Sequence, residues 1–282
     1  MIRLGYLGPE GTFSEEAVRS APDAAHATLV ALPTVRDTVM AVHDGHVERA
    51  VVPIENALEG PVGVTLDTLA DAGTAVEIVG EVVIAVSPCL IARDGTALDD
   101  VECVVSHPQA TSQCARFLRE RLPRAVVTSA DSTAEAVRTV AAEPAAWAAL
   151  GTRRAAELYG ARVLAEHVED EPGNATRFVW LAREGAQLDP AEPSKTSLAF
   201  WGAGDTSPGW LVRCLSEFAF RGVNLTKIES RPLRARLGHY RFFVDCEGGA
   251  REGPVAEAVD GLRKHCEQVK ILGSYPAASR PD

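Results

Sequence analysis

The stretch Gly173-Asn174-Ala175-Thr176-Arg177-Phe178 puts an amide, a hydroxyl and a guanidinium within four consecutive residues. It follows an acidic segment, Glu169-Asp170-Glu171-Pro172, and runs into an apolar one, Phe178-Val179-Trp180-Leu181. A Pro-Gly turn feeding a strand lets such side chains converge at the strand mouth, which suits a small anion. Taken alone, the stretch equally describes an ordinary turn with a solvated arginine. Three further polar groups stand at similar places: Gly8-Pro9-Glu10-Gly11-Thr12, Glu55-Asn56 and Ser106-His107-Pro108-Gln109. Glycines admit close backbone approach, and the free amides of a helix start favour an anion. The first group is neither a P-loop nor a dinucleotide fingerprint.

The elements that must position these groups follow from the pattern. A strand at 2–7 leads through the glycine turn into a helix at about 13–20. A strand at about 28–32, a Thr34-capped helix to about His43, and a strand at 50–53 complete a first lobe. After a β-rich passage, 75–92, the order recurs: strand 101–105, polar turn, a helix opened by Pro108 and reaching about Leu122, strand 125–128, a helix capped by Ser132 or Thr133, and strand 145–150. Two like α/β lobes, with the chain crossing near 75–90 and returning near 165–180, are the architecture of two-lobed binding-protein folds. Polar strand ends in such sheets face the ligand crevice, so 8–12, 55–56, 106–109 and 174–177 are expected to share one cleft. Glu59 is expected in solvent.

Beyond Leu181 the pattern changes. Residues 184–194 read as a linker, and 195–275 as strand, helix, two strands, helix and strand, the ferredoxin-like order. Residues 276–282 are expected to be a disordered tail.

Composition bounds the function. The 282 residues, 46% hydrophobic and 24% charged, suffice for about two domains. A net charge of -11 argues against nucleic acid, and an anionic substrate would need a locally basic pocket. No apolar run approaches the roughly 20 residues of a membrane span, and the start lacks a signal peptide's apolar core, so a cytoplasmic protein is expected. The six cysteines (Cys89, Cys103, Cys114, Cys214, Cys246, Cys266) are scattered singly, read as reduced, and suggest no metal site.

Taken together, Tyr6-Leu7-Gly8-Pro9-Glu10-Gly11-Thr12-Phe13, Val52-Pro53-Ile54-Glu55-Asn56, Ser106-His107-Pro108-Gln109-Ala110, Ser132-Thr133-Ala134-Glu135-Ala136 and Asn174-Ala175-Thr176-Arg177-Phe178 give the chain a specific resemblance. It resembles the prephenate dehydratases that carry a C-terminal amino-acid-binding domain of the ACT type, over residues 2 to about 275. Asn224-Leu225-Thr226-Lys227-Ile228-Glu229-Ser230-Arg231-Pro232 matches that domain's effector motif. The resemblance implies an α/β fold: a two-lobed, periplasmic-binding-protein-like catalytic domain at 1–183, with lobe one at about 1–75 plus 170–183 and lobe two at about 76–169. An ACT domain at 195–275 follows.

It also implies conversion of prephenate to phenylpyruvate with loss of CO2 and water, in phenylalanine biosynthesis, by a lyase needing no cofactor or metal. Thr176 is implied to assist the departing hydroxyl. Thr12, Asn56, Ser106, His107, Gln109, Asn174, Arg177 and Phe178 are implied to bind substrate, with Arg177 suited to a carboxylate. A threonine hydroxyl is too weak an acid to supply the proton near neutrality, which leaves Glu55 and His107 as candidate donors, His107 being as readily a helix cap. Gly209, Trp210, Leu211, Asn224, Leu225, Glu229, Ser230, Arg231 and Pro232 are the implied effector site, with L-phenylalanine the effector and a homodimer or homotetramer the assembly.

Two positions depart from the family pattern: Ala57 stands where a serine is usual, and Trp210 where an alanine is. The indole is expected to weaken phenylalanine binding by competing for its space. Neighbouring readings are an arogenate dehydratase and a decarboxylase that keeps the hydroxyl. From another class comes a cytoplasmic amino-acid-binding regulator, disfavoured by the full set of motifs.

Overall fold

In the computed structural model, the residues described are all except 72, 187–191, 203, 205, 206, 234–237, 252 and 279–282. The middle of the expected linker and most of the expected tail therefore lie outside the described residues. The strands are β1 (Arg3–Leu7), β2 (Thr28–Leu32), β3 (Arg49–Asn56), β4 (Gly60–Pro61), β5 (Val76–Ala85), β6 (Cys89–Ala92), β7 (Cys103–Ser106) and β8 (Val126–Ser129). They continue with β9 (Trp147–Gly151), β10 (Arg162–Ala165), β11 (Ala175–Arg183), β12 (Lys195–Trp201), β13 (Leu225–Pro232), β14 (Tyr240–Glu247) and β15 (Gln268–Tyr275). The helices are α1 (Phe13–Arg19), α2 (Val35–His43), α3 (Gly63–Ala70), α4 (Pro108–Gln113), α5 (Ala115–Arg121), α6 (Thr133–Ala142), α7 (Arg153–Tyr159), α8 (Trp210–Ala219) and α9 (Pro254–Leu262).

The chain forms two compact units. The first comprises Met1–Thr34, Asn56–Glu59 and Ile84–Thr176. Within it β1 and β2 pair in parallel, and a five-stranded mixed sheet runs β10-β6-β9-β7-β8. Leu90, Val104, Leu150 and Cys114 fill one face of that sheet, and Ile91, Val137, Val140 and Ala149 the other. Short helices enter from strand ends, each stopped or started by a local device. Thr12, Ser132 and Thr152 cap α1, α6 and α7 by accepting the N–H of the third residue on, and left-handed Gly160 ends α7. The single helix expected from Pro108 to Leu122 is instead two, broken at Cys114. Both Asp170 oxygens accept the Arg116 N–H, so the acidic segment 169–172 serves as the N-terminal cap of α5.

The second unit comprises Val35–Glu55, Gly60–Val83 and Arg177–Asp282. Its C-terminal part runs β12-α8-β13-β14-α9-β15, with sheet order β13-β14-β12-β15 and antiparallel pairing throughout, the ferredoxin-like topology read from the sequence. Trp210, Cys214 and Phe218, each four residues apart on α8, pack with Val255, Val259 and Leu262 of α9 over Leu198, Phe200 and Val244. The sheet continues from β15 through β5 and β11 to β3. The β15–β5 junction requires a glycine, because a Cβ on Gly273 would stand 2.1 Å from the Ile78 carbonyl oxygen.

Candidate active site

Unit 1 holds a cavity of about 400 Å³, lined by the turn after β1 (Leu7, Gly8, Thr12, Phe13, Ser14), by Pro33, Asn56, Val86 and Thr176, by the start of α4 (His107, Gln109, Ala110, Gln113), and by the start of α6 (Asp131, Ser132, Thr133). Three helix N-termini thus contribute to one wall. The first amides of a helix have no intrahelical acceptor and carry a partial positive charge, so they form an anion-binding surface. None of these lining residues is Lys or Arg. Where the sequence led us to expect cationic side chains, the lining offers backbone amides and His107, with Asp131 beside them.

Hydrogen bonds fix the Thr176 hydroxyl. Asn56 Oδ1 accepts the backbone N–H groups of Leu58 and Glu59, each at 3.0 Å, which dictates which way the amide points. Its Nδ2 therefore faces three acceptors: Thr176 Oγ1 at 2.9 Å, Asn174 Oδ1 at 3.0 Å and the Ala175 carbonyl at 3.3 Å. Because Thr176 Oγ1 accepts a hydrogen bond from Asn56 Nδ2, its own proton is free to point into the cavity. The chain extends outward: Asn174 Nδ2 donates to Gln113 Oε1, and Gln113 Nε2 donates to Glu59 Oε1, both at 3.3 Å. Asn56 and Asn174 are buried, so leaving these amides unpaired would be costly.

The remaining expected residues separate by function. Thr12 lines the cavity, but its hydroxyl already accepts from Glu15 N and donates to the Pro9 carbonyl. His107 lines it and caps α4, Nδ1 accepting from Gln109 N at 3.3 Å, so a neutral ring carries its proton on Nε2. Gln109 lines the cavity with its side chain exposed. Ser106 is fully buried and donates to the Leu150 carbonyl, a tie between β7 and β9. Asn174 and Phe178 are buried outside the lining, Asn174 holding Asn56 and Phe178 packed in the core.

Glu55 and Arg177 are not brought to the cavity. Successive strand residues face opposite sides, so the register that turns Asn56 and Thr176 toward the cavity turns their neighbours away. In unit 2 the Arg177 guanidinium meets Asp245 at 2.6 Å, Glu81 at 3.1 Å and Glu55 at 3.4 Å. Burial works against its charge, but these acidic neighbours more than offset that and hold its pKa above the ordinary value. Asp131, Ser132, Thr133 and Gln113 are cavity residues that the sequence reading did not assign to the site. The one available signal was that Ser132 opens a helix after a strand, as Thr12 and His107 do.

The turn of the site rests on Glu15. Its carboxylate is buried, accepts the N–H of left-handed Gly11 and is paired with Arg19 and Arg154. Burial raises its pKa, but the Gly11 hydrogen bond and Arg19 outweigh burial and leave it lowered.

In unit 2 a smaller cavity, about 230 Å³, is lined by Ser207, Gly209, Trp210, Leu211, Val212, Gly238, Tyr240 and Phe242. The expected effector residues Gly209, Trp210 and Leu211 are in it. Asn224, Leu225, Glu229, Ser230, Arg231 and Pro232 are not among its lining, and Arg231 instead grips Asp67 with two hydrogen bonds of 2.8 Å. The Trp210 indole is 4% exposed, donates from Nε1 to the His265 carbonyl at 2.7 Å, and lies 6.0 and 5.8 Å from the rings of Phe200 and Phe242. It is a core side chain that also forms one wall.

A family model described as prephenate dehydratase matches residues 4–186. The prephenate dehydratase of Mycolicibacterium vanbaalenii is 42% identical over 289 residues, covering 98% of this chain and 91% of that one. Among solved structures, the prephenate dehydratase of Arthrobacter aurescens in complex with L-Phe is 36% identical, with a TM-score of 0.89, covering 98% of this chain and 90% of that one. A protein described as GqqA, a novel type of quorum quenching acylase, is 33% identical with a TM-score of 0.87, covering 98% of each chain.

Proposed function

The chain belongs to the prephenate dehydratase family, and we propose that the unit 1 cavity is where it turns prephenate into phenylpyruvate, as a carbon–oxygen lyase. The observation that carries the assignment is the Asn56–Thr176 hydrogen bond, which leaves a hydroxyl proton facing the cavity. The ring carboxylate leaves as CO2, its bonding electrons enter the ring, and the C–O bond of the ring hydroxyl breaks. One proton is taken up, so hydroxide departs as water. Thr176 donates a hydrogen bond to that oxygen as charge develops on it, and His107 is a candidate source of the proton only in its doubly protonated form, which gives up the bond its Nδ1 accepts from Gln109 N. Glu55 is set aside as that source because its carboxylate faces Arg177 and Lys227 in unit 2. The helix starts at Phe13, Ala110 and Thr133 receive the substrate's anionic groups.

The rest of the reading is of one piece with this. The family model's end at residue 186 supports a catalytic domain at 1–183, and the ferredoxin-like residues 195–275 are proposed as the ACT domain. L-phenylalanine is the proposed effector, supported by its presence in the Arthrobacter aurescens complex and by the unit 2 cavity beside Gly209. A homodimer is proposed as the minimal assembly, supported by edge strand β13 with exposed Ile228, by Val212 exposed on α8 and by Phe220 exposed at its C-cap. A cytoplasmic location accords with six free cysteines, of which Cys214 and Cys266 hold their sulfurs 3.7 Å apart without a disulfide; no helix among the described residues is long and apolar enough to cross a membrane. The test is incubation with prephenate and detection of phenylpyruvate, with Thr176→Ala expected to lower kcat by about two to four orders of magnitude and change KM far less. Intact kcat with raised KM would make Thr176 a binding residue.

A further inference from the structure

The residues displaced from the cavity form a cluster of their own. In unit 2, Arg177, Lys195 and Lys227 face Glu55, Glu81 and Asp245, three cations and three carboxylates contributed by β3, β5, β11, β12, β13 and β14. Most of it is fixed. Asp245 accepts from Arg177 and from Ser197, Glu81 from Arg177 and Lys195, and both carboxylates are at least nine-tenths buried. Glu55 differs. Its Oε2 lies 3.2 Å from Lys227 Nζ and 3.4 Å from Arg177 Nε, yet neither nitrogen makes a hydrogen bond in this arrangement, and both are buried. One carboxylate stands between two donors and satisfies neither.

A small movement of the carboxylate toward either cation would complete a hydrogen bond there. The two have different consequences. Lys227 belongs to β13, where the register slips between Leu225 and Lys227, so that Thr226 bulges and Lys227 stands opposite Asp245. Arg177 belongs to β11 and is covalently joined to Thr176. Glu55 is covalently joined to Asn56, and the Ala57 N–H donates to the Ala175 carbonyl at 2.9 Å beside the Asn56–Thr176 pair.

We propose that Glu55 is a positioning switch, its carboxylate moving between Lys227 and Arg177 and thereby setting the hydrogen bond from Asn56 to Thr176. Arg177 then acts as an anchor for Thr176 and touches no substrate. Because β13 pairs with β14, whose Tyr240 and Phe242 line the cavity beside Gly209, this switch is also the route by which occupancy of that cavity alters turnover, a second part that rests on the effector reading. The first part stands without it.

The test uses the full-length protein and three variants, Glu55→Gln, Lys227→Arg, and the double Glu55→Gln/Lys227→Met. Glu55 is more than a third exposed and glutamine keeps its volume, while the double variant also removes the Lys227 ammonium that Glu55→Gln leaves without its acid. Thermal unfolding confirms folding in each case. Expected are a fall in kcat of about 10-fold or more with KM within about twofold for Glu55→Gln, the same fall and no greater for the double variant, and near wild-type turnover for Lys227→Arg. Unchanged kcat in Glu55→Gln, or a further multiplicative loss in the double variant, overturns the switch. Calorimetric titration of L-phenylalanine with parallel inhibition assays separates the second part. If wild type binds and is inhibited, Glu55→Gln should still bind but lose most of a coupling of about 5-fold to 150-fold. Full inhibition in that variant overturns the route; no binding to wild type overturns the effector reading and leaves the kcat comparison to decide the switch.

Discussion

Replacing Asn56 by aspartate tests the site with almost no change in volume. The Oδ1 position keeps its two N–H donors from Leu58 and Glu59, so the side chain stays where it is. The other oxygen now replaces Nδ2 and faces Thr176 Oγ1 at 2.9 Å, Asn174 Oδ1 at 3.0 Å and the Ala175 carbonyl at 3.3 Å, all acceptors. The only relief is for Thr176 to reverse its hydroxyl and donate to the new carboxylate, which takes the proton away from the substrate. Losing one preorganised donor to a departing oxygen costs about 2.7–4 kcal/mol, a kcat loss of about 10²–10³. Since the loss runs entirely through Thr176, adding Asn56→Asp to Thr176→Ala should cost nothing further. Protonating the introduced carboxyl restores an O–H donor, so the defect should shrink as pH falls, after division by the wild-type profile. Steady-state kinetics of the two single variants and the double give the answer. A wild-type kcat in Asn56→Asp, or losses that multiply in the double variant, would refute the claim that Asn56 sets the direction of the Thr176 proton.

Trp210→Ala should destabilise the protein by about 3–5 kcal/mol, read from denaturant unfolding, because it empties a core position and strands the His265 carbonyl; tighter phenylalanine binding with little loss of stability would instead restore the idea of simple occlusion. Glu15 has a lowered folded-state pKa, so its contribution is present above the unfolded value of about 4.3 and disappears as pH drops through the folded value. The melting temperature of wild type should therefore exceed that of Glu15→Gln at neutral pH and converge with it in acid, and a pH-independent gap would show that the contribution is not ionic.

Asn56, His107, Gln109, Thr12 and Thr176 could be picked from the sequence because polar residues at strand ends and helix starts have few places to go in an α/β fold. Glu55 and Arg177 could not be placed, since adjacency in a strand is separation in space: one step along β3 or β11 reverses the face. What claims them comes from far along the chain, Asp245 being 68 positions beyond Arg177. No local pattern announces such a partner. Trp210 is a different case. Seen as a turn residue after Gly209 it looks like an obstruction, but its spacing with Cys214 and Phe218 is that of a buried helix face, and that signal was present in the sequence. Ser132 and Thr133 were recognised as a helix start without their membership in the site, because nothing local says which of several helix starts converge.

The Lys- and Arg-free lining of the cavity bears on the chemistry itself. A guanidinium gripping the ring carboxylate with two hydrogen bonds would stabilise the charged ground state and lose that contact as neutral CO2 forms, raising the barrier. Helix dipoles are diffuse. Their first amides carry only partial charge, so a carboxylate bound there loses less on becoming CO2 than one gripped by a guanidinium. The apolar lining from Leu7, Phe13, Val86 and Ala110 works in the same direction, since a poorly solvated carboxylate gains most by discharging its charge into the ring. Arg177, the carboxylate ligand expected from the sequence, is instead held by three acids within unit 2.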